Sequence, residues 1–297
     1  MADPFGRNCL QRQGSHDNRE SGMGDIRKDI LGKAKELGAD IAGIAAVESL
    51  KRSPSSRFLE AVGAKADGVY WDPGERDLER IDWPSGAQSA LVVGVSHPET
   101  APQLDYWSHT KGGTPGNRIL MEINRGLSLW IEETFGFQTH RMPYGVTDGG
   151  IYLKDAAVFA GLGCIGLNNL LITPDYGSRI RLRALLIDAR LPPTGPIAYD
   201  PCGSCGEFCR KACPQGAFEN QVYVAAGTGL MQLPGRNGDF SRARCKIKMG
   251  LDVDASESRP KDTTLLPNGK EGKDGMKRQV IYCRQCEIAC PVGNGGS

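Results

Sequence analysis

Apolar side chains recur at a helical spacing in several segments of the chain. Between Asp25 and Leu37 they return every three or four residues, and Gly38 then supplies a stop signal. Arg118 to Thr134 has a similar amphipathic pattern, with apolar residues along one side. A third helix is predicted over residues 151–160.

Shorter apolar runs predict strands. DIAGIAA at 40–46 and ALVVGV at 90–95 are typical of buried strands. Residues 169–173 and 180–187 predict two further strands, joined by a turn from Asp175 to Ser178. Helices and strands alternate in this part of the chain, and this indicates an α/β (α+β) domain.

The pattern changes after Pro201, where Cys, Gly and Pro become frequent and the periodicity fades. We therefore predict an α/β domain over 23–198 and a second domain over 199–297 that depends on a bound cofactor. The polar stretch 252–277 is interpreted as an exposed insertion in the second domain. Residues 1–22 are polar, and we predict a disordered leader there.

Charge adds little to this picture. The chain has 36 basic and 35 acidic residues and a net charge of +1, so bulk charge does not indicate a nucleic-acid or membrane partner. No apolar run is long enough to span a bilayer, and the first 22 residues lack the apolar core of an export signal. We expect a cytoplasmic protein.

The strongest chemical signal is the spacing of eight of the ten cysteines. One run reads C-x2-C-x3-C-x3-C-P, a later run reads C-x2-C-x3-C-P, and one cysteine stands between them. Thiolates at this spacing, with a proline after the last cysteine, are typical of proteins that bind two [4Fe–4S] clusters. The cysteines are Cys202, Cys205, Cys209 and Cys213, then Cys245, then Cys283, Cys286 and Cys290.

In two-cluster ferredoxins the cysteine before proline binds the other cluster. This predicts one cluster on Cys202, Cys205, Cys209 and Cys290, and a second on Cys213, Cys245, Cys283 and Cys286. Structural zinc is the alternative, because C-x2-C pairs also bind zinc. Cys9 and Cys164 fall outside the pattern, and Cys164 is interpreted as a packed thiol.

Gly161, Gly163 and Gly166 match the G-x-G-x-x-G dinucleotide fingerprint. That motif needs a strand before it and a helix after it, whereas here a predicted helix precedes and a predicted strand follows. A nicotinamide site is therefore rejected. The glycines are interpreted as a tight turn or as a close approach to a flat group.

The run KDAAVFAGLGCIGLNNLLITPDYGSRIRLRALLIDARLP, followed by DPCGSCGEFCRKACPQGAF, resembles the cobalamin-dependent iron–sulfur reductases. It looks most like epoxyqueuosine reductase and, more distantly, the catalytic core of reductive dehalogenases. RARCKIK around Cys245 and WPSGAQSALVVGVSHP are also similar to this family. The resemblance covers roughly residues 25–292.

The resemblance implies a cobalamin-reductase-like domain followed by a ferredoxin-like domain. It places cobalamin against the glycine loop (Gly161, Gly163, Gly166) and against Gly177 and Ser178. Asp148 is the nearest match to the family's proton-donating acid, with a turn-capping role as the alternative. Lys154, Arg179 and Arg181 are assigned to solvated surface charge, with binding of anionic tetrapyrrole groups as the alternative.

Three functions remain open from the sequence. The leading one is a reductase that acts on a small organic substrate. Its electrons would come from an external low-potential donor of the ferredoxin or flavodoxin type. A ferredoxin-like electron carrier without catalysis is the second. The third keeps epoxyqueuosine in transfer RNA as substrate. We do not expect nucleic acid as a partner, because the charge is balanced and the family's downstream helical region is missing from this sequence.

Overall fold

The computed structural model describes residues 11–62, 81, 83–107, 113–230, 232–257 and 280–293. Side chains are described from Gly22 onward. The predicted leader segment 1–10 and most of the predicted insertion, from 258 to 277, lie outside the described residues.

A four-stranded antiparallel sheet forms the centre of the first domain. Its strands are β1 (Ile41–Ala46), β2 (Ser89–Ser96), β3 (Thr139–Arg141) and β6 (Ile180–Ile187), in the order β1-β2-β6-β3. A separate two-stranded hairpin pairs β4 (Cys164–Ile165) with β5 (Leu171–Ile172). The predicted strands at 40–46, 90–95 and 180–187 are confirmed. The strand predicted at 169–173 is shorter and belongs to the hairpin.

Both faces of the sheet are buried, because successive side chains of each strand point to opposite faces. Along β2, Leu91, Val93 and Val95 pack with α1 (Gln11–Glu36) and α4 (Pro115–Phe135). Ala90 and Val92 face the other way, toward α2 (Val47–Lys51) and α5 (Leu153–Phe159). The α/β prediction is thereby confirmed as a three-layer arrangement.

Both ends of helix α4 have capping residues that are common at helix termini. The Thr114 side chain accepts a hydrogen bond from the Asn117 amide at 3.2 Å, and Pro115 occupies the first turn. At the other end Gly136 adopts a left-handed conformation with φ of 71°.

Helix α1 begins 14 residues before the predicted start at Asp25. The prediction of a disordered leader is therefore wrong for residues 11–22, which are helical. Gln, Arg and Glu have good intrinsic helix propensity, and extending a helix that has already nucleated costs little.

The second part of the chain has short helices joined by long irregular segments. They are α6 (Phe208–Lys211), α7 (Ala225–Thr228), α8 (Arg242–Glu257) and α9 (Gln285–Ile288). Helix α6 packs against α9, and this brings the two cysteine runs together. Helix α3 (Pro54–Val62) of the first part packs against α7, where Phe58 and Tyr223 meet edge-to-face at a centroid distance of 4.8 Å. Residues 252–257 of the predicted insertion are the last six residues of α8.

Candidate active site

A cavity of about 1440 Å³ lies between the α/β sandwich and the cysteine-bearing segment. This exceeds the roughly 300–1,000 Å³ typical of small-molecule pockets. Helices α3 and α5 and the β4–β5 hairpin supply its walls on one side. Residues from 199 to 249 and from 282 to 287 supply the other side. The site is therefore large enough for a sizeable cofactor together with part of a substrate.

Besides Cys164 of the hairpin, four cysteines of the second part of the chain line this cavity, namely Cys213, Cys245, Cys283 and Cys286. Burial is the largest cause that raises the pKa of Cys286, to about 12, and the neighbouring charges of Cys245 and Cys283 raise it further. Cys213 also contributes to this shift. These thiols are thus close enough to influence one another, although they come from three distant segments.

The remaining four cysteines form a second group beside the first. Burial raises the pKa of Cys209 to about 11, and the charges of Cys290, Cys202 and Cys205 act in the same direction. A coordinated metal reverses such shifts, because a coordinating thiol is deprotonated outright. These charge effects link Cys209 to Cys202, Cys205 and Cys290, and Cys286 to Cys213, Cys245 and Cys283, while the two ligand sets stay a prediction.

No three or more His, Cys, Asp or Glu side chains among the described residues are arranged as ligands of one metal ion. In a [4Fe–4S] cluster each thiolate binds a different iron at a corner of the cube, so its four thiolates do not converge on one metal ion.

The loop before β6 fastens the second cysteine run to the sandwich. Gly177 has φ of 56°, and a Cβ there would overlap the Val292 carbonyl oxygen. The Ser178 hydroxyl donates to the Glu287 carbonyl at 3.3 Å. These positions, predicted to lie beside a corrin, pack against the segment after Cys286, and only Ser178 also lines the cavity.

Arg179 contributes most to this attachment. Its guanidinium donates to the carbonyl oxygens of Ile288, Cys290 and Val292 at 3.2, 3.1 and 3.1 Å. The residue is only 6% exposed, so its assignment to solvated surface charge is wrong. Arginine suits this position because its planar fork can satisfy several carbonyls at once.

A buried polar network borders the cavity next to Cys283 and Cys286. The His97 imidazole Nδ1 lies 3.0 Å from an Asp105 carboxylate oxygen, and both Arg181 and Arg284 pair with the same carboxylate. Burial raises the pKa of Asp105, but hydrogen bonding and charge from His97 and Arg181 outweigh this and hold the pKa below its usual value. Arg181 is therefore another paired cation, not a solvated one. Sequence reasoning missed this network because its members are up to 187 residues apart.

The hairpin lines the cavity with side chains next to its glycines and not with the glycines themselves. A Cβ on Gly161 or Gly163 would overlap the backbone of Thr194 or Ile172, so these glycines allow chain segments to approach closely. Among the described residues the cavity is lined by Cys164, Ile165, Asn168 and Asn169, and not by Gly161, Gly163 or Gly166. Cofactor binding by the glycines themselves stays a prediction.

Cys164 has a basic partner that the local sequence does not reveal. Arg236 Nη2 donates toward its sulfur at 3.4 Å, while Nη1 of the same arginine pairs with Asp200 at 2.8 Å. Burial still raises the pKa of the Cys164 thiol to about 11, and the opposing charge of Arg236 does not overcome it. This agrees with the interpretation of Cys164 as a packed thiol.

Asp148 lies at the end of a single-turn 3₁₀ helix, Val146–Asp148, and its side chain is exposed. In the described structure it does not line the cavity, although Tyr144, Gly145 and Val146 just before it do. The loop that carries the predicted acid therefore borders the mouth of the site, with the carboxylate turned to solvent.

Comparison with known proteins identifies the relatives of this chain. No family model matches it. The curated epoxyqueuosine reductase of Synechococcus sp. strain RCC307 is 32% identical over 208 residues, which is 67% of this chain and 63% of that protein. The Bacillus subtilis strain 168 epoxyqueuosine reductase is 41% identical over 283 residues, 91% of this chain and 64% of that protein. The chain is a homologue of the epoxyqueuosine reductases. It spans a little under two thirds of the length of these curated relatives.

Solved structures agree at the level of the fold. The epoxyqueuosine reductase of Streptococcus thermophilus matches with a TM-score of 0.58 and 22% identity, over 92% of this chain and 67% of that one. A catabolic reductive dehalogenase in complex with 3-bromo-4-hydroxybenzoic acid matches with a TM-score of 0.55 and 16% identity, over 89% and 31%. The predicted similarity of fold to both groups is confirmed.

One expectation about partners is wrong. An epoxyqueuosine reductase structure with an epoxyqueuosine-modified transfer RNA stem loop matches with a TM-score of 0.57 and 19% identity, over 92% of this chain and 66% of that one. This finding and the names of the relatives contradict a small-molecule substrate and the exclusion of nucleic acid. Net charge misled the prediction because it sums the whole surface, whereas a modified nucleoside can be bound in one pocket. No helix in the described ranges has the length and apolar character needed to cross a membrane.

Proposed function

We propose that this epoxyqueuosine reductase homologue is a cobalamin-dependent iron–sulfur reductase that reduces epoxyqueuosine in transfer RNA. The observation that carries the proposal is the cavity itself, which is lined by one complete set of four cysteines and by the β4–β5 hairpin. The curated relatives are named for this activity.

Two [4Fe–4S] clusters fit the cysteines present. Cys213, Cys245, Cys283 and Cys286 would hold the cluster at the cavity, and Cys202, Cys205, Cys209 and Cys290 would hold the other. The donor set is chemically suitable, because each group offers four thiols whose charges act on one another. Residues 203–204 and 206–208, which flank Cys202 and Cys205, are exposed, so this edge of the second group is accessible to an external donor of the ferredoxin or flavodoxin type.

A corrinoid also fits, because the cavity is larger than an ordinary substrate pocket and adjoins a cysteine set. Bound cobalamin would supply a strongly reducing metal centre for breaking a carbon–oxygen bond of the epoxide. The walls that would contact it are apolar along α5, where Leu153 and Val158 line the cavity, and polar at the hairpin, where Asn168 and Asn169 line it.

Loss of the epoxide oxygen as water takes two electrons, delivered through the clusters, and two protons, and we infer that Asp148 provides one of these protons. The loop that bears Asp148 is continuous with cavity-lining residues, so a small backbone movement would turn the carboxyl group inward. A solved Bacillus subtilis neighbour is described with its catalytic aspartate loop swung out of the active site. If Asp148 has the same role here, its exposed side chain is in such an outward position.

An electron carrier without catalysis would use the same cysteines. It has no need of a cavity of this size, and so the cavity favours the enzyme.

The test is reduction of authentic substrate. Protein purified without oxygen is reconstituted with iron and cobalamin, supplied with a low-potential reductant, and mixed with transfer RNA that carries epoxyqueuosine. Nucleosides are then analysed by mass spectrometry. Loss of the epoxide oxygen that depends on both cobalamin and Asp148 supports the proposal, and an unchanged nucleoside under all these conditions rejects it.

A further inference from the structure

The charges that face the cavity are not balanced. Six cationic side chains line it: Lys154, Arg181, Arg236, Arg242, Lys248 and Arg284. Four of them have carboxylate partners, because Arg181 and Arg284 pair with Asp105, Arg236 with Asp200, and Lys248 with Asp252. Lys154 and Arg242 form no ion pair with any described residue.

The carboxylates of the cavity cannot supply the missing partners. The cavity is lined by Asp105, Asp155, Asp200 and Glu287. Three of these accept from arginines, and Asp155 accepts from the Ser55 amide and hydroxyl at 2.8 and 3.0 Å. Asp155 thus holds the first turn of α3 and leaves the neighbouring ammonium of Lys154 without a direct carboxylate contact.

Lys154 is held in place by a neutral group. Its Nζ donates to the Asn169 carbonyl oxygen at 2.5 Å, which fixes the ammonium at the hairpin wall. Burial lowers the pKa of Lys154 to about 8, the charge of Asp155 opposes this, and the charge of Arg242 lowers it further. Two cations therefore repel one another within a partly desolvated wall, which is costly unless an anion joins them.

We propose that Lys154 and Arg242 form a subsite for a phosphate group within the cavity. A phosphate oxygen accepts charge-assisted hydrogen bonds from both an ammonium and a guanidinium, and a partly dry site strengthens such bonds. The proposal rests on the proposed function in taking this cavity as the active site. Two sources of phosphate fit there, the nucleotide loop of a corrinoid and the backbone of an RNA substrate.

Arg242 also lies near the Cys245 sulfur, at 3.9 Å, so a cluster on that cysteine is a competing partner. Lys154 shows no such sulfur contact among the described residues. Lys154 is therefore the residue to vary, and the conservative Lys154→Arg variant keeps the charge.

The first measurement is calorimetric titration with inorganic pyrophosphate, a probe without base, sugar or corrin, of protein reconstituted with iron but without cobalamin. Lys154→Met should weaken binding by roughly tenfold or more, because a charge-assisted hydrogen bond is lost, and Lys154→Arg should largely retain it. Arg125→Met is the matched control, since it removes a positive charge from the exposed face of α4. Iron content and melting temperature verify that each variant is folded and loaded.

Two further arms identify the source of the phosphate. Cobalamin is compared with cobinamide, which lacks the phosphate, and a transfer RNA stem loop is titrated at several salt concentrations. If Lys154→Met weakens cobalamin but not cobinamide, the phosphate is the corrinoid's. If it weakens the stem loop and flattens the salt dependence, the phosphate is the RNA's.

The proposal is overturned if pyrophosphate does not bind the wild-type protein, or binds wild type and Lys154→Met equally. It is also overturned if Lys154→Met shifts a cluster reduction potential while pyrophosphate binding stays the same. Failure of the proposed function looks different, because wild type would then bind neither cobalamin nor the stem loop while the pyrophosphate result still decides the subsite.

Discussion

The α/β sandwich and the segment after Pro201 are held together by different physics. The sandwich buries apolar side chains on both faces of its sheet, and Leu91, Leu127 and Leu185 are fully excluded from solvent. The later segment has helices of four residues at both cysteine runs and depends on polar attachments such as Arg179. We therefore expect the first region to fold through burial alone, and we propose that the second depends on a bound cofactor in place of an apolar core.

Removing iron should produce the largest difference in stability between the two regions. In protein treated anaerobically with a chelator, amides of α6, α8 and α9 should lose nearly all protection against hydrogen exchange, because metal binding and folding are coupled there. Amides of β2 and β6 should keep theirs. Equal loss in both regions, or in neither, would contradict the comparison.

Truncating a core side chain of the sandwich should destabilise the first region without loss of iron from the second. Leu185→Ala should lower the free energy of unfolding by about 2–5 kcal/mol, because it leaves a cavity in the centre of the sheet. Denaturant titration measures this, and the iron content of the folded protein should not change. Leu129→Ala is the matched control, since Leu129 is 54% exposed and its loss should cost less than about 0.5 kcal/mol. A similar effect from both variants would argue against a burial-driven sandwich.

Arg179 joins the regions, so its loss should have an intermediate effect. Arg179→Met leaves three carbonyl oxygens without their donor and should cost about 1–3 kcal/mol. We expect iron to be released to a chelator faster than from wild type, because Cys290 loses its support. The Arg125→Met variant serves as control. An unchanged release rate would show that the attachment does not stabilise the cysteine segment.

The last prediction concerns the dependence of stability on pH, through the pKa of Lys154. Because burial lowers its pKa from 10.5 to about 8, the unfolded chain binds more protons than the folded one between those values. Unfolding free energy of wild type, relative to Lys154→Met, should therefore rise as pH increases from about 8 to 10.5. Denaturant titrations at pH 7, 8.5 and 10 in phosphate-free buffer measure this, and a difference that does not vary with pH would contradict it.

Sequence patterns predicted the elements whose signal is local and repeated. Helix α4 and strands β1, β2 and β6 are long and periodic, and the structure places them within a few residues of the prediction. Strand β3 was missed because it has only three residues, Thr139–Arg141, and pairs at the sheet edge. Helix α3 was missed because its start depends on Asp155, which is distant in sequence.

The candidate site was predictable only where residue type alone carries chemistry. Cysteine spacing grouped the thiols from sequence, because a cysteine before proline is constrained in a recognisable way. The burial of Arg179 and the pairing of Arg236 with Asp200 depend on tertiary contacts that no local pattern encodes. The prediction about a nucleic-acid partner was wrong for the same reason, since net charge carries no information about where charges lie.

The account depends most on two cubes of iron and sulfide held by the two groups of cysteines. The most direct measurement is metal and acid-labile sulfide analysis of anaerobically reconstituted protein, together with electron paramagnetic resonance of the dithionite-reduced form. The account predicts about eight iron and eight sulfide per chain with signals of two interacting clusters, and about half of each in a Cys286→Ser variant. Zinc in place of iron, or about four iron in the wild type, would contradict it.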